Sequence, residues 1–298
     1  WVELRPFIQP VFLGYETTEA YARIMRYRKV KTKTREYYQI VLDQTPFYAE
    51  SGGQTGDTGI LENTQGEKIV ITNTIKENNL ILHIAGEIPA NPETEFHAQV
   101  DAERRQAIAN NHTATHLLHY ALRQLLGTHI EQKGSHVSAD GLRFDFSHFE
   151  KVEPQMLRQT ERLVNELIRK NIRQDTLIDT PIEEARKMGA MALFGEKYGD
   201  KVRVVKFGDS VELCGGTHTS ATGNIGYFKI VSEGATAAGV RRIEAITGKA
   251  VEERIEVMED TLQNARALLN DHPDLVASLQ RLLRENEALS KEMEQNMR

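Results

Sequence analysis

One cysteine, Cys214, is all that the 298-residue chain contains. An intrachain disulfide is therefore excluded, and a reducing compartment leaves the thiol free to ligate a metal or act as a nucleophile. No apolar run approaches the roughly 20 residues that a membrane-spanning helix needs. The opening WVELRPFIQP shows no charged segment backed by an apolar one, so no secretory leader is read there. Because the sequence begins at Trp1 and not Met, it is expected to be part of a longer protein. Two missing motifs narrow the chemistry. No Gly-Lys-Ser or Gly-Lys-Thr follows the glycine-rich stretch FYAESGGQTGDTGIL (47–61), so it is not a phosphate-binding P-loop, and turn chemistry in a small barrel is its expected use. Thr113 follows the first histidine of a His-x3-His pair where a zincin protease needs glutamate.

An excess of positive charge is also lacking, since the formal net charge is −6. Taken whole, that argues against a nucleic-acid partner. The distribution changes the picture: residues 251–298 hold 11 acids and 6 bases, leaving residues 1–250 nearly neutral with 31 bases and 32 acids. Inside that body, YARIMRYRKVKTKTR (21–35) carries seven Lys or Arg and no acid, with Tyr21 and Tyr27 interleaved. The run fits phosphate contacts with tyrosine stacking, and it equally fits a solvated strand face. With 40% hydrophobic residues and a mean hydropathy of −0.47, the chain reads as soluble and globular, and its length as two domains or slightly more.

The periodicity divides the chain in three. Residues 1–98 read as a β-barrel from PVFLGY, YYQIVLD, KIVITNTI and NLILHIAG, short β-branched and aromatic runs between turn residues. Residues 99–248 mix helix and strand. A helix with Leu117, Leu118, Ala121, Leu122 and Leu125 on one face stops at Gly127, LRFDF (142–146) alternates as a strand, and a second helix is expected over 154–171. A short helix is read over 181–188, capped by Thr180, and the strands KVRVVKF and GYFKIVSE flank the loop GDSVELCGGTHTSATGN. Residues 249–298 form a helical tail broken near NDHPD. After the break, Leu275, Leu279, Leu282, Asn286, Leu289 and Met293 make a heptad seam, which suits pairing with another helix or packing back on its own chain. The fold class is α+β: a small N-terminal β-barrel, an α/β sandwich core and a C-terminal helical tail.

His112 and His116 lie four apart on the first helix and so project one turn apart on one face. About a hundred residues later, Cys214 and His218 form a Cys-x3-His pair around Gly215-Gly216, a turn that can bend both around one ion. Three imidazoles and a thiolate suit the borderline-soft Zn²⁺. His119 reads as a polar residue at the helix edge. Thr113 and Thr115 flank the two histidines and are candidate hydrogen-bond partners for ligating rings. Gln54 stands out in its glycine-rich turn but receives no chemical role.

The segments HTATHLLHYALRQLLG, QKGSHV, LRFDFSH, LCGGTHT and RRIEAITG, in that order after FYAESGGQTGDTG, resemble the editing region of alanyl-tRNA synthetases. Free-standing alanyl-tRNA editing proteins are related to that region, and threonyl-tRNA synthetases share the histidine and cysteine pairs more distantly. The resemblance covers roughly residues 8–250, and the acidic tail resembles the start of the region leading to the dimerisation domain of the synthetase. Nothing in the stretch resembles the aminoacylation domain of that ATP-dependent ligase. The resemblance implies hydrolysis of seryl and glycyl esters of alanine tRNA, with Zn²⁺ on His112, His116, Cys214 and His218. It places Gln132 in the pocket, where the bland alternative is a plain hairpin residue. Arg143 and Asp145 are further catalytic candidates, against a surface ion pair. Arg28, Lys31, Lys33, Arg241 and Arg242 are candidates for tRNA contact, against a solvated strand face for the first three and a solvated edge strand for the two arginines beside Gly239. The implied partner is the acceptor end of tRNA(Ala), with a homodimer through the tail, no membrane, and a cytoplasmic location. A free-standing editing protein and an RNA-binding module with structural zinc are the alternatives.

Overall fold

Alternation of apolar and polar residues builds the first third of the chain into nine strands: β1 (Val2–Glu3), β2 (Val11–Phe12), β3 (Glu19–Lys31), β4 (Glu36–Leu42), β5 (Gln44–Thr45), β6 (Gly59–Asn63), β7 (Lys68–Glu77), β8 (Leu80–Ala85) and β9 (Glu95–Val100). In this computed structural model, which describes residues 1–192 and 197–297, six of them close a barrel in the order β3-β4-β8-β7-β6-β9, with β9 returning to β3. Strand β1 adds to the outside of β3, and β2 pairs with β5. Inside lie Ile24, Ile40, Leu42, Phe47, Leu61, Ile71 and Phe96. The basic run is mostly β3. Its inward positions Ala22 and Ile24 are buried, which lets a cation-rich segment serve as a barrel stave.

From Ala102 the period becomes helical. Helix α1 (Ala102–Leu126) starts at Asp101, whose side chain accepts a hydrogen bond from the Arg104 amide, and ends at Gly127. Strands β10 (Gln132–Val137) and β11 (Leu142–Ser147), helix α2 (Pro154–Arg169), strand β12 (Asp175–Pro181), helix α3 (Ile182–Lys187) and strands β13 (Lys201–Phe207), β14 (Ser210–Leu213), β15 (Phe228–Ala237) and β16 (Val240–Thr247) follow. A four-stranded antiparallel sheet of order β10-β11-β16-β15 carries α1 and α2 on one face, where Leu117, Leu118, Ala121 and Leu122 meet Phe144, Phe146, Phe228 and Ile243. A smaller sheet of order β12-β13-β14 supports the Cys-x3-His loop. The architecture is α+β, as the sequence predicts.

Two local expectations change. Thr180 and Pro181 pair with Val202 and Lys201 as the end of β12, so the short helix begins at Ile182 and Thr180 does not cap it. Sheet pairing wins here because Asp179 takes a left-handed φ of 51°, which makes a bulge and lets the strand continue past it. The loop before the cysteine, read as irregular, contains β14.

Barrel and sheet are joined through the glycine-rich segment. The Val137 amide donates to Gly53 O at 2.8 Å and Thr55 N donates to Val137 O at 3.0 Å, so the segment runs along the edge of β10. Gly53 has a φ of +85°, and a Cβ there would sit 2.4 Å from the Ser135 carbonyl oxygen, so only glycine allows this approach. Behind it, Asp57 is clamped by Arg105 of α1, whose Nε lies 2.9 Å from Oδ2, while the guanidinium also donates to the carbonyls of Gly14 and Pro46. Trp1–Gly248 form one compact unit.

The segment from Lys249 onward is a second unit. Helix α4 (Lys249–Leu268) ends at Asn270 and Asp271, both at left-handed φ, and α5 (Leu275–Asn296) restarts on Asp274, whose side chain accepts from the Ala277 amide. The seam residues Leu279, Leu282, Leu289 and Met293 are exposed. Among the described residues, no helix is long and apolar enough to cross a membrane.

Candidate metal centre

Helix α1 has two unlike faces. Its leucines enter the sheet core, while Asn111, His112, Thr113, Thr115, His116 and His119 are also buried, covered from the other side. The cover is the loop after β14, which brings Cys214 and His218 onto the His112–His116 pair. One donor atom from each of the four residues lies within 4.8 Å of the others. Cys214 Sγ is 3.4 Å from His112 Nε2 and 3.3 Å from His218 Nε2. A tetrahedral Zn²⁺ with bonds of about 2.3 Å to sulfur and about 2.0 Å to nitrogen sets sulfur and nitrogen about 3.5 Å apart, which is close to these two sulfur–nitrogen distances.

The loop is pinned at several points. Gly216 N donates to Cys214 Sγ at 3.3 Å, a contact that favours thiolate. Arg203 Nη1 donates to the carbonyls of Cys214 and Gly216 at 2.9 and 2.8 Å and stacks on the Tyr15 ring, whose hydroxyl donates to Gly215 O. Gly216 has no room for a side chain: a Cβ would stand 2.1 Å from His112 Cε1 and 2.7 Å from Gln54 Oε1.

Burial holds the three rings neutral, the state in which imidazole binds metal. His112 is pushed down to about 3, chiefly by desolvation and further by the Arg203 charge. His116 and His218 are driven well below the usual histidine range by desolvation, with repulsion among the neighbouring rings adding to it. Each ring has its own outer partner. His112 Nδ1 meets Gln54 Oε1 at 2.7 Å, and His218 Nδ1 meets Thr113 Oγ1 at 3.0 Å. His116 Nε2 lies 3.1 Å from Glu212, while its Nδ1 is buried without a protein partner. Thr113 thus fills the supporting role open to both threonines, whereas Thr115 donates to Asn111 O within its own helix. His119 is not at the helix edge. It is buried, with Nδ1 2.8 Å from Glu212 and its ring against Phe144.

Beside the cluster lies a cavity of about 350 Å³. His112, His116 and Cys214 line it together with Gln132, Glu212, Tyr48 and Ser51, and Lys197, Lys201 and Arg203 stand on its wall. Glu212 is buried, and desolvation raises its pKa.

A family described as "Threonyl and Alanyl tRNA synthetase second additional domain" matches residues 202–244, which include the Cys-x3-His loop. The class II (A) tRNA synthetase family matches residues 7–104, the barrel. Proteins named alanine–tRNA ligase are similar over nearly the whole chain. That of Bacteroides fragilis is 55% identical over 96% of this chain and 33% of its own, that of Bacteroides thetaiotaomicron 54% over 100% and 34%, and that of Porphyromonas gingivalis 51% over 98% and 33%. The chain belongs to the alanyl-tRNA synthetase family. It spans about a third of the length of these curated relatives.

Against that family pattern, the structure sorts the sequence-derived residues. Gln132 lines the cavity with His112, His116 and Cys214, its Nε2 donating to Ser135 Oγ at 2.9 Å. Arg143 and Asp145 do not line it. They alternate with Leu142, Phe144 and Phe146 and so lie on the sheet face turned away from α1, whereas His112 and His116 lie on α1 itself. Asp145 instead receives two bonds from Arg242, at 2.8 and 3.1 Å. Arg241 is paired with Glu233 at 2.6 Å, and both arginines belong to the interior strand β16, not to an edge. Arg28 bonds Gln39 and Glu77 and stacks on Trp1, Lys31 pairs with Glu36, and Lys33 lies in the exposed turn after β3. Sequence reading missed Glu212, Arg203, Lys201 and the role of Gln54. The position of Glu212 two residues before Cys214 was its only signal.

Proposed function

We propose that the chain removes serine and glycine from wrongly charged alanine tRNA by metal-dependent ester hydrolysis. The observation that carries this reading is the convergence of three imidazoles and one thiol, with His112, His116 and Cys214 at the wall of a solvent-connected cavity, in a chain of the alanyl-tRNA synthetase family. The need for such a site is physical. A pocket for a methyl side chain rejects glycine or serine by no more than about a hundredfold, so a second site must sort the products.

His112, His116, Cys214 and His218 hold the ion in this proposal. Zn²⁺ in that setting acidifies a water or polarises the ester carbonyl. The chain's own groups do the rest. Gln132 offers an amide to the serine hydroxyl or to the attacking water. Glu212 fixes His116 and His119 in orientation. Lys197 and Lys201 at the wall supply positive charge where an RNA 3′ end carries phosphate. The partner is then the acceptor end of tRNA(Ala), the setting cytoplasmic, and the exposed seam of α5 a surface for a second copy.

A second reading has its own support: four protein donors make up the closed complement of a structural zinc. A deacylation assay on seryl-, glycyl- and alanyl-tRNA(Ala), with and without chelator, separates the two. The hydrolytic reading expects loss of the seryl and glycyl esters, sparing of the alanyl ester, and arrest by chelator. Seryl ester that survives equally with and without the protein refutes it.

A further inference from the structure

We infer that Gln54, supplied by the barrel's glycine-rich loop, is a positioning residue of the metal centre: its amide sets the tautomer of His112 and clamps the Cys214–His218 loop onto α1. The inference rests on the metal centre of the proposed function but needs neither tRNA nor hydrolysis.

Hydrogen-bond logic fixes the arrangement. Gln54 is fully buried at 0% exposure, and its side chain makes three bonds. Thr217 N, a backbone amide that can only donate, lies 2.9 Å from Gln54 Oε1, so that atom is the carbonyl oxygen and not the amide nitrogen. The same oxygen stands 2.7 Å from His112 Nδ1, and an oxygen acceptor there requires Nδ1 to carry the proton. In a neutral ring the other nitrogen is then bare, and that nitrogen, Nε2, is the one facing Cys214 Sγ at 3.4 Å. Gln54 Nε2 completes the set by donating to Thr217 Oγ1 at 2.8 Å.

The three rings draw their partners from three places. Thr113 serves His218 from α1 and Glu212 serves His116 from β14, so these two supports belong to the half of the chain that carries the ligands. Gln54 comes from the barrel and touches both ligand-bearing segments at once, His112 on α1 and Thr217 between Cys214 and His218. The loop that presents it is held by Gly53 against Ser135, by the Val137 pairing and by the Asp57–Arg105 clamp. The barrel is therefore part of the metal centre's scaffold.

The test is metal binding. Purified protein is titrated with Co²⁺, following the thiolate charge-transfer and ligand-field bands, and Zn²⁺ affinity is measured by chelator competition. Gln54→Leu, which removes both the acceptor and the donor, is expected to weaken Zn²⁺ binding about 10- to 100-fold, the usual scale for an outer-shell partner. Gln54→Glu keeps an acceptor for Nδ1–H and for Thr217 N and is expected to restore affinity to within about threefold of wild type. In metal-free wild type, long-range ¹H–¹⁵N spectra are expected to show the His112 proton on Nδ1, a measurement that stands even if the leucine variant does not fold. Wild-type affinity in Gln54→Leu, affinity in Gln54→Glu as weak as in the leucine variant, or a ring protonated on Nε2 overturns the inference. A wild-type protein that binds no Co²⁺ overturns it together with the metal reading.

Discussion

His83 in the barrel and His112 on α1 are both fully buried imidazoles with strongly lowered pKa values, about 4 and about 3, and desolvation is the main cause in each. They differ in where their nitrogens point. His83 is closed by its own surroundings: Nδ1 donates to Ile40 O at 2.9 Å, Nε2 meets Thr45 Oγ1 at 2.7 Å, and Phe47 packs edge-on against the ring. His112 meets Gln54 through Nδ1, while its Nε2 faces the Cys214 sulfur at 3.4 Å and the ring lies against a second imidazole. Burial and a perturbed pKa are thus shared by a core residue and a candidate ligand. Convergence of unprotonated donors separates them.

The largest effect is expected at Cys214. Cys214→Ala is expected to reduce seryl-tRNA(Ala) hydrolysis at least about 100-fold, the scale lost when a main electrostatic element is removed, while the metal-free melting midpoint stays near wild type. Unfolding of that variant would instead favour structural zinc. Next in size is the clamp between the two halves. Asp57→Ala leaves Arg105 buried without its carboxylate and is expected to cost about 3–5 kcal/mol in urea unfolding, with looser metal binding because the Gln54 loop is freed.

Acid sharpens the contrast further. The His83 pKa in the folded chain is lowered from 6.5 to about 4, so between those values the unfolded chain takes up a proton that the folded chain refuses. Its contribution is full above pH 6.5 and is lost as pH falls toward 4, about 3 kcal/mol in all. Urea midpoints from pH 7 to 4.5 are expected to fall less steeply for metal-free His83→Gln than for metal-free wild type, and equal slopes would contradict the assignment. The smallest effect is expected on the far face of the sheet. Asp145→Asn and Arg143→Ala should leave seryl-tRNA hydrolysis within about twofold, because neither side chain reaches the cavity; a tenfold loss in the same assay would return them to the site.

The histidine–cysteine quartet was legible because its signal is chemical and local. Two histidines four apart on a helix share a face, and a cysteine and histidine bracketing Gly-Gly can close on a point. The barrel was legible from alternation in its apolar strands. Strand β3 was less so, since seven cations in the run mask an inward face as small as Ala22 and Ile24. Strand β14 and the bulged end of β12 were hidden for a related reason: their pairing is decided by β13, not by their own short sequences.

By itself the sequence determined which donors exist, that they come in two pairs, and that one segment is helical and the other a glycine turn. The tertiary structure decided what surrounds them. Gln54 and His112 are 58 residues apart and Glu212 and His119 are 93, so no local periodicity connects them. It also decided on which face of the β10–β11 sheet the cavity would lie. Alternation told that Arg143 and Asp145 point away from Phe144, but only the packing of α1 on the phenylalanine side fixed that as the direction away from the histidine–cysteine cluster. Hydrogen bonds and burial act across whatever the fold brings within a few ångströms, and that distance is set by packing of the whole chain.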